Sequence, residues 1–179
     1  AAETRVLVQR LLPGFAGSAV LDADGLNAAA QLLAEGKVLP HPTGELILTP
    51  HPGEMARLTG LSVAEISADR EKIAQQYAKK WNVVVALKGS RTIVAAPDGR
   101  ACVNPTGNPG LARGGSGDVL AGMTAALLAC RLPAFEAASC AVYLHGAAAD
   151  RAAALCGEYG MLPHDILPQL GRMFAENQR

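Results

Sequence analysis

The clearest strand of the sequence is the stretch Asn82-Val83-Val84-Val85-Ala86-Leu87, which ends at Lys88-Gly89. A short, continuous apolar run bounded by turn residues is typical of a strand buried on both faces of a parallel sheet. A helix is predicted just before it, because Ser62 and Glu65 have the spacing of a capping box. That helix carries an apolar stripe at helical spacing, at Val63, Ile66, Ile73, Tyr77 and Trp81. A helix that leads into a buried strand is the repeating unit of an α/β fold.

The same alternation extends in both directions along the chain. Towards the N-terminus we predict a helix over residues 4–12, a strand over 18–22, a helix from Asp24 or Gly25 to Glu35, and a strand over 45–49. Towards the C-terminus, segments 91–95 and 100–104 flank Pro97-Asp98-Gly99 and form a predicted hairpin. Three helices follow, over about 118–130, over 133–156 and from 163, and the first of them is apolar all round, which predicts burial. The fold class is therefore α/β, with a mostly parallel sheet and one antiparallel hairpin.

Composition excludes several classes of protein. The 179 residues fit one domain. Sixteen Lys and Arg residues balance sixteen Asp and Glu residues, which argues against a nucleic-acid partner. No apolar run reaches the roughly 18 residues that a membrane span needs, so we expect no membrane association. No basic-then-apolar leader opens the sequence, so we expect a cytoplasmic protein with reduced cysteines that pack mostly as small hydrophobes in the core.

The strongest chemical signal is the glycine-rich segment from Asn104 to Asp118. Glycines that lead directly into a helix leave backbone N–H groups free at the positive end of the helix dipole, and this arrangement binds phosphate. The segment is neither a Walker A loop nor a dinucleotide-binding fingerprint. Asp118 in the first helical turn has two interpretations. It either complements the helix dipole, worth roughly 0.3–1 kcal/mol, or takes a proton from a hydroxyl that attacks a bound phosphate.

Three further segments place polar residues after predicted strands, where ligands bind in open α/β sheets. His51 and Glu54 follow the strand at 45–49; Glu54 is either a Mg²⁺ ligand or a helix cap. Lys88 ends the central strand, and it either contacts a phosphate or has no role beyond the end of the strand. Asp22 and Asp24 follow the first strand. The two aspartates either orient hydroxyls or water around a cation, or Asp24 is only the N-cap of the next helix. We interpret His145, on an Ala-rich helix, as a packed core histidine.

Taken together, these segments resemble the ADP-dependent (S)-NAD(P)H-hydrate dehydratases of the ribokinase-like superfamily. The resemblance rests on four motifs in the family's order: Leu21 to Asn27, Thr49 to Leu58, Lys88-Gly89, and Gly107 to Asp118. The helix from Tyr143 to Asp150 is also similar to the family's helix with His-Gly. The resemblance implies a three-layer αβα ribokinase-like fold. It also implies that residues 1–179 are the C-terminal part of a single such domain, because the family's N-terminal portion is absent.

The resemblance further implies the reaction. The family restores NADH or NADPH from the S epimer of the hydrated cofactor while ADP becomes AMP and phosphate, with Mg²⁺ as cofactor. The nucleotide-binding residues would be Lys88, Gly89, Ser90, Arg91 and Thr92, together with Gly114, Gly115, Ser116 and Gly117. His51 and Asp118 would contact the hydrated nicotinamide, Asp118 would be the catalytic base, and Glu54 the Mg²⁺ residue. A homo-oligomer and a functional link to an NAD(P)H-hydrate epimerase are implied in the same way.

Two departures from the family pattern keep alternatives open. Arg113 and Ser116 stand where many members have Thr, and the sequence assigns Arg113 no role. The missing portion normally supplies part of the substrate side. The alternatives are a ribokinase-like kinase for a vitamin precursor, or a non-catalytic nucleotide-binding fragment that needs another chain.

Overall fold

The computed structural model describes residues 2–176 of the chain. Five strands and eight α-helices alternate along it. The strands are β1 (Ala19–Leu21), β2 (Leu46–Leu48), β3 (Val84–Leu87), β4 (Ile93–Ala95) and β5 (Ala101–Val103). The helices are α1 (Ala2–Val6), α2 (Ala23–Ala34), α3 (Pro52–Thr59), α4 (Val63–Ala68), α5 (Arg70–Trp81), α6 (Ser116–Ala129), α7 (Ala134–Cys156) and α8 (Pro163–Glu176). A π-helical turn, Leu7–Leu11, and a 3₁₀ turn, Leu12–Gly14, extend α1.

The strands form a single sheet in sequence order, β1-β2-β3-β4-β5. β1 pairs parallel with β2, and β2 parallel with β3. The predicted hairpin of β4 and β5 is present, and β4 also pairs antiparallel with β3, because only residues 88–92 connect those two strands. Four of the five strands therefore run in one direction, and their carboxyl ends share one edge.

Helices cover both faces of the sheet, which gives three layers. Leu46, Leu48, Val85 and Leu87 point to the face covered by α2, α3 and α5. Their neighbours Ile47, Val84 and Ala86 point to the opposite face, where they pack against α6 and α7. This alternation is the two-residue period of strand side chains. A further cluster joins α7 to α8 through residues that include Ile166 and Met173. The α/β prediction is confirmed.

Three local predictions were wrong. The helix predicted over residues 62–81 is two helices, since Asp69 lies outside helical geometry and caps α5 by accepting the N–H of Lys72 at 3.3 Å. Helix α6 is not buried all round, since Gly122 and Ala125 are exposed. The prediction failed because a helix face made of Gly and Ala is apolar whether it points to the core or to solvent. The cysteines were predicted to pack mostly in the core. The described structure contains four free cysteines, and three of them, Cys130, Cys140 and Cys156, are exposed.

No helix within residues 2–176 combines the length and apolarity that a membrane crossing requires.

Candidate functional site

One cavity of about 960 Å³ lies at the edge where β1, β2 and β3 end. The N-terminus of α6 and the glycine-rich segment close its other side. The cavity is lined by all the residues of the predicted nucleotide, substrate and metal sites: His51, Glu54, Lys88, Gly89, Ser90, Arg91, Thr92, Gly114, Gly115, Ser116, Gly117 and Asp118. Of the two aspartates offered for a cation, Asp22 lines it and Asp24 does not. Segments separated by up to 67 positions therefore meet in one place. The cavity does not by itself assign a role to each of them.

The start of α6 is built to receive an anion. Gly115 precedes the helix with a left-handed φ of 94°, which glycine adopts without strain, and no side chain caps the helix there. The N–H of Ser116 donates to the Arg113 carbonyl at 3.3 Å. No described residue accepts from the N–H groups of Gly117 or Asp118. By contrast, side chains cap α2, α3, α4 and α5. Free N–H groups at a helix N-terminus bind phosphate and carboxylate groups.

Helix α7 holds the glycine-rich segment in place. The Asp150 carboxylate accepts the N–H of Gly107 and the amide of Asn108, both at 2.9 Å. Thr106 donates to the Tyr143 carbonyl at 2.9 Å. Gly146 permits this contact, because a Cβ there would lie 2.7 Å from the Thr106 carbonyl carbon. The segment is thus fixed before any ligand arrives.

Arg113 anchors the far end of the same segment. Its guanidinium donates to the carbonyls of Met161 and Tyr159 at 2.8 and 3.0 Å. These carbonyls belong to the connection between α7 and α8. In this structure the cation that the sequence left without a role therefore braces the loop, and the Arg113 donors point to protein carbonyls.

A partly buried group of charges lies beside the helix end. Lys88 Nζ is 2.6 Å from Asp22 Oδ1 and 3.7 Å from Glu54 Oε2. A Cβ on Gly117 would lie 3.4 Å from Asp22 Oδ2 and 3.5 Å from Lys88 Nζ, so α6 begins against this pair. Asp22, and not Asp24, is the N-cap of α2, which corrects the sequence prediction. Lys88 is thus positioned at the point where α6 presents its free N–H groups.

His51 and Glu54 form the cap of α3. His51 Nδ1 accepts the N–H groups of Gly53 and Glu54 at 3.0 and 3.3 Å, and Glu54 Oε2 accepts the N–H of His51 at 2.8 Å. Because Nδ1 is an acceptor, the neutral imidazole carries its proton on Nε2, which lies 3.5 Å from Glu54 Oε1. The capping interpretation of Glu54 is confirmed. His51 is half exposed and available to a ligand in the cavity.

The segment 88–92 is braced from α5. Arg70 donates to the Leu87 carbonyl at 2.9 Å and to the Ser90 carbonyl at 2.6 Å. Burial lowers the pKa of this guanidinium. Arg91 has a left-handed φ of 56°, which few non-glycine residues adopt. No described residue pairs with its guanidinium, so Arg91 is left with a free cation at the cavity wall.

Asp118 is the corresponding free carboxylate. It lies in the first turn of α6, is exposed to the cavity, and accepts no hydrogen bond from residues 2–176. A carboxylate in this position can accept the proton of a ligand hydroxyl.

His145 is buried on α7, as predicted, but it also lines the cavity. Burial lowers its pKa to about 4, an effect that a backbone hydrogen bond with Ser116 partly offsets. The imidazole is therefore neutral at neutral pH.

Sequence reasoning missed three bracing residues, Arg70, Arg113 and Asp150, and it missed the pairing of its candidate Asp22 with Lys88. Each acts through a contact between distant positions, such as the 66 residues that separate Asp22 from Lys88. The spacing of these residues along the chain carries no signal for such contacts. Asp22 alone had a partial signal, since it follows a strand.

The comparisons with known proteins agree with this geometry. The family model described as NAD(P)H-hydrate dehydratase matches residues 3–172. The ADP-dependent (S)-NAD(P)H-hydrate dehydratase of Neisseria meningitidis is 47% identical over 150 residues, which are 83% of this chain and 50% of that protein.

Two solved structures share the fold. The ADP/ATP-dependent NAD(P)H-hydrate dehydratase of Bacillus subtilis, co-crystallised with ATP/Mg²⁺, gives a TM-score of 0.79 at 38% identity, covering 89% of this chain and 55% of that one. A ribokinase-like superfamily protein of Enterococcus faecalis gives 0.83 at 28% identity, covering 98% and 59%. The chain thus spans about half the length of these proteins. On its match over residues 3–172, the chain belongs to the NAD(P)H-hydrate dehydratase family.

Proposed function

We propose that this chain carries the nucleotide and phosphoryl-transfer side of an ADP-dependent (S)-NAD(P)H-hydrate dehydratase, a metabolite-repair lyase. The observation that carries the proposal is the start of α6. There, free N–H groups of Gly117 and Asp118, the Lys88 ammonium and the unpaired Asp118 carboxylate meet at one cavity. An anion hole beside a base is what phosphoryl transfer to a hydroxyl requires.

The β-phosphoryl group of ADP would be the anion at the start of α6. Two backbone N–H groups and the helix dipole would stabilise the charge on its oxygens. Lys88 would add a cation, which Asp22 holds at 2.6 Å against the helix end. The segment 88–92, braced by Arg70, would hold the rest of the nucleotide, with the Arg91 cation free to meet it.

Asp118 would act as the general base. It would take the proton of the hydroxyl on the hydrated nicotinamide as that oxygen attacks the β-phosphorus and the bond to AMP breaks. The second half of the reaction breaks the carbon–oxygen bond. Phosphate and a ring proton leave, and the ring double bond of NADH or NADPH returns. His51, which lines the cavity and is half exposed, would help to orient the nicotinamide.

The donor set fits Mg²⁺. This ion binds proteins through one or two carboxylates and completes its shell with phosphate oxygens and water. Glu54 and Asp22 supply two carboxylates at the cavity, although no group of three or more metal-ligating side chains occurs among the described residues. Glu54 and Asp22 would hold Mg²⁺ together with the nucleotide, and the ion would neutralise part of the phosphate charge.

Homo-oligomerisation and a functional link to an epimerase belong to this proposal. The exposed face of α6, which includes Gly122 and Ala125, is a surface of small residues on which another subunit could pack closely.

Two alternative functions make different predictions. A kinase for a vitamin precursor would leave a stable phosphorylated product. A binding part that needs another chain would hold nucleotide without turnover.

The substitution Asp118→Asn tests the proposed base. It keeps the size of the side chain and removes the proton acceptor, so we expect turnover to fall by about 10²–10⁴-fold. The affinity for ADP, measured by calorimetry, should fall far less, because the Asp118 N–H remains. Retained turnover in Asp118→Asn would contradict the assignment.

A further inference from the structure

The Asp118 carboxylate is the free proton acceptor of the cavity. Three carboxylates line the cavity in the described part of the chain, those of Asp22, Glu54 and Asp118. Asp22 is paired with Lys88, and Glu54 caps α3. Asp118 is exposed and accepts no hydrogen bond within residues 2–176. Because the Asp118 side chain is exposed, water reaches its oxygens.

The groups that would activate the phosphoryl group all belong to this chain. The N–H groups of Gly117 and Asp118 have no acceptor among the described residues, and Asp22 holds Lys88 against the same helix end. These groups would stabilise charge on the phosphate oxygens whatever the attacking molecule is, since they contact the phosphate and not the attacking oxygen. The hydrated nicotinamide is therefore needed as the acceptor of the phosphoryl group, and not for its activation.

Water can take the position of the attacking hydroxyl. In phosphoryl transfer the attacking and leaving oxygens lie roughly in line, on opposite sides of the phosphorus. A bound ADP therefore covers the leaving side of its β-phosphorus and leaves the attacking side open to the proposed base. The cavity of about 960 Å³ is near the upper end of the roughly 300–1,000 Å³ of small-molecule sites. One water needs only about 30 Å³ of that space.

We propose that this chain also hydrolyses ADP to AMP and phosphate when no hydrated cofactor is bound. The oxygen of a water molecule forms a bond to the β-phosphorus while Asp118 takes one of its protons. The bond from the β-phosphorus to the bridging oxygen breaks, and that oxygen leaves with AMP. Asp118 then returns its proton to solvent. This inference rests on the nucleotide site of the proposed function, and it needs no contact with the nicotinamide.

Hydrolysis should be slow beside transfer to the substrate hydroxyl. A hydroxyl on a bound ligand is held in position and a water molecule is not, and such positioning raises rates by large factors. We expect phosphate release from ADP alone to be at least about 100-fold slower than the coupled reaction. In the coupled reaction, the ratio of phosphate to NADPH therefore stays close to one.

The test incubates the unchanged chain with ADP and Mg²⁺ in water enriched in oxygen-18, without any hydrated cofactor. We expect equal amounts of AMP and phosphate, with one atom from the water in each phosphate and none in AMP, because water attacks the β-phosphorus. AMP offered in place of ADP should release no phosphate, since it has no β-phosphoryl group. Mass spectrometry of the products measures the label, and calorimetry measures the binding of ADP to the same protein.

Two aspartate variants separate the proposed base from other effects. Asp118→Asn removes the proton acceptor and keeps the backbone N–H, so phosphate release should fall about 10²–10⁴-fold while the affinity for ADP changes far less. Asp24→Asn is the matched control, because Asp24 is likewise exposed in the first turn of a helix but does not line the cavity. It should release phosphate at the rate of the unchanged chain.

Three results would overturn the inference. One is equal phosphate release by the unchanged chain and Asp118→Asn, and another is oxygen-18 in AMP, which shows attack at the α-phosphorus. The third is binding of ADP without release of phosphate, and in that case the recovery of NADPH still decides on the proposed dehydratase function. If the unchanged chain did not bind ADP, the nucleotide site of the proposed function would be refuted, and the inference with it.

Discussion

Acidification should destabilise this fold through His145. Burial lowers the pKa of the imidazole from 6.5 to about 4 in the folded chain. Below pH 6.5 the unfolded chain therefore binds a proton that the folded chain does not bind. The stability that comes from burying the neutral ring is fully present above pH 6.5 and is lost as the pH falls towards 4.

The size of the effect follows from this difference in pKa. Each pH unit inside the window removes up to about 1.36 kcal/mol from the free energy of unfolding. From pH 7 to pH 5 the loss attributable to His145 is about 2 kcal/mol, and below pH 4 it approaches about 3 kcal/mol. A loss of 2 kcal/mol is a large share of the stability of a typical domain.

Urea unfolding at pH 7, 6 and 5 measures this loss, with His145→Gln as the variant that cannot titrate. Carboxylates with lowered pKa values, such as Glu35 at about 2, stay charged over this range and are common to both proteins. The unchanged chain should lose about 2 kcal/mol more than His145→Gln between pH 7 and pH 5. Equal losses in the two proteins would refute the claim that His145 is buried as a neutral ring.

Two glycines give further predictions. Gly117→Ala places a methyl group 3.4–3.5 Å from Asp22 and Lys88, where α6 must admit a phosphate. The stability of the fold should hold or rise, while the affinity for ADP, measured by calorimetry, should drop at least about tenfold, or about 1.4 kcal/mol. An unchanged affinity would be evidence against the anion hole. Gly146→Ala pushes the glycine-rich segment off α7 and should cost about 1–3 kcal/mol of unfolding free energy in urea. The control is Gly171→Ala, inside α8 with open space around it, which should instead raise the free energy of unfolding by up to about 1 kcal/mol. A similar change in the stability of the two variants would contradict the close contact at Gly146.

The parts of the fold that sequence could predict are those with a local cause. The strand at 84–87 and the glycine-rich entry to α6 follow from apolar runs and glycine density, which act over a few residues. The two helices around Asp69 were harder to predict, because one apolar stripe continues across the break.

The site also divides into residues that the local sequence could predict and contacts that depend on the folded chain. The sequence indicated Lys88 and Asp118 as candidates for a ligand site, since each follows a strand or a glycine-rich turn, and both line the cavity; their contact with a ligand stays a prediction. Their surroundings depend on folding: Asp22 meets Lys88 across 66 residues, and Arg113 meets Met161 across 48. Sequence also predicted that His145 is buried, but it could not show that His145 faces the cavity, because that depends on how α7 packs against α6.

The most direct test of the proposed function is to follow NADPH absorbance while the chain is incubated with the S epimer of NADPH hydrate, ADP and Mg²⁺. The account predicts that NADPH returns only when ADP and Mg²⁺ are both present, with one AMP and one phosphate formed for each NADPH. A stable phosphorylated product without NADPH would contradict it in favour of a kinase. Binding of ADP without any turnover would show that this chain holds nucleotide but does not catalyse the dehydration.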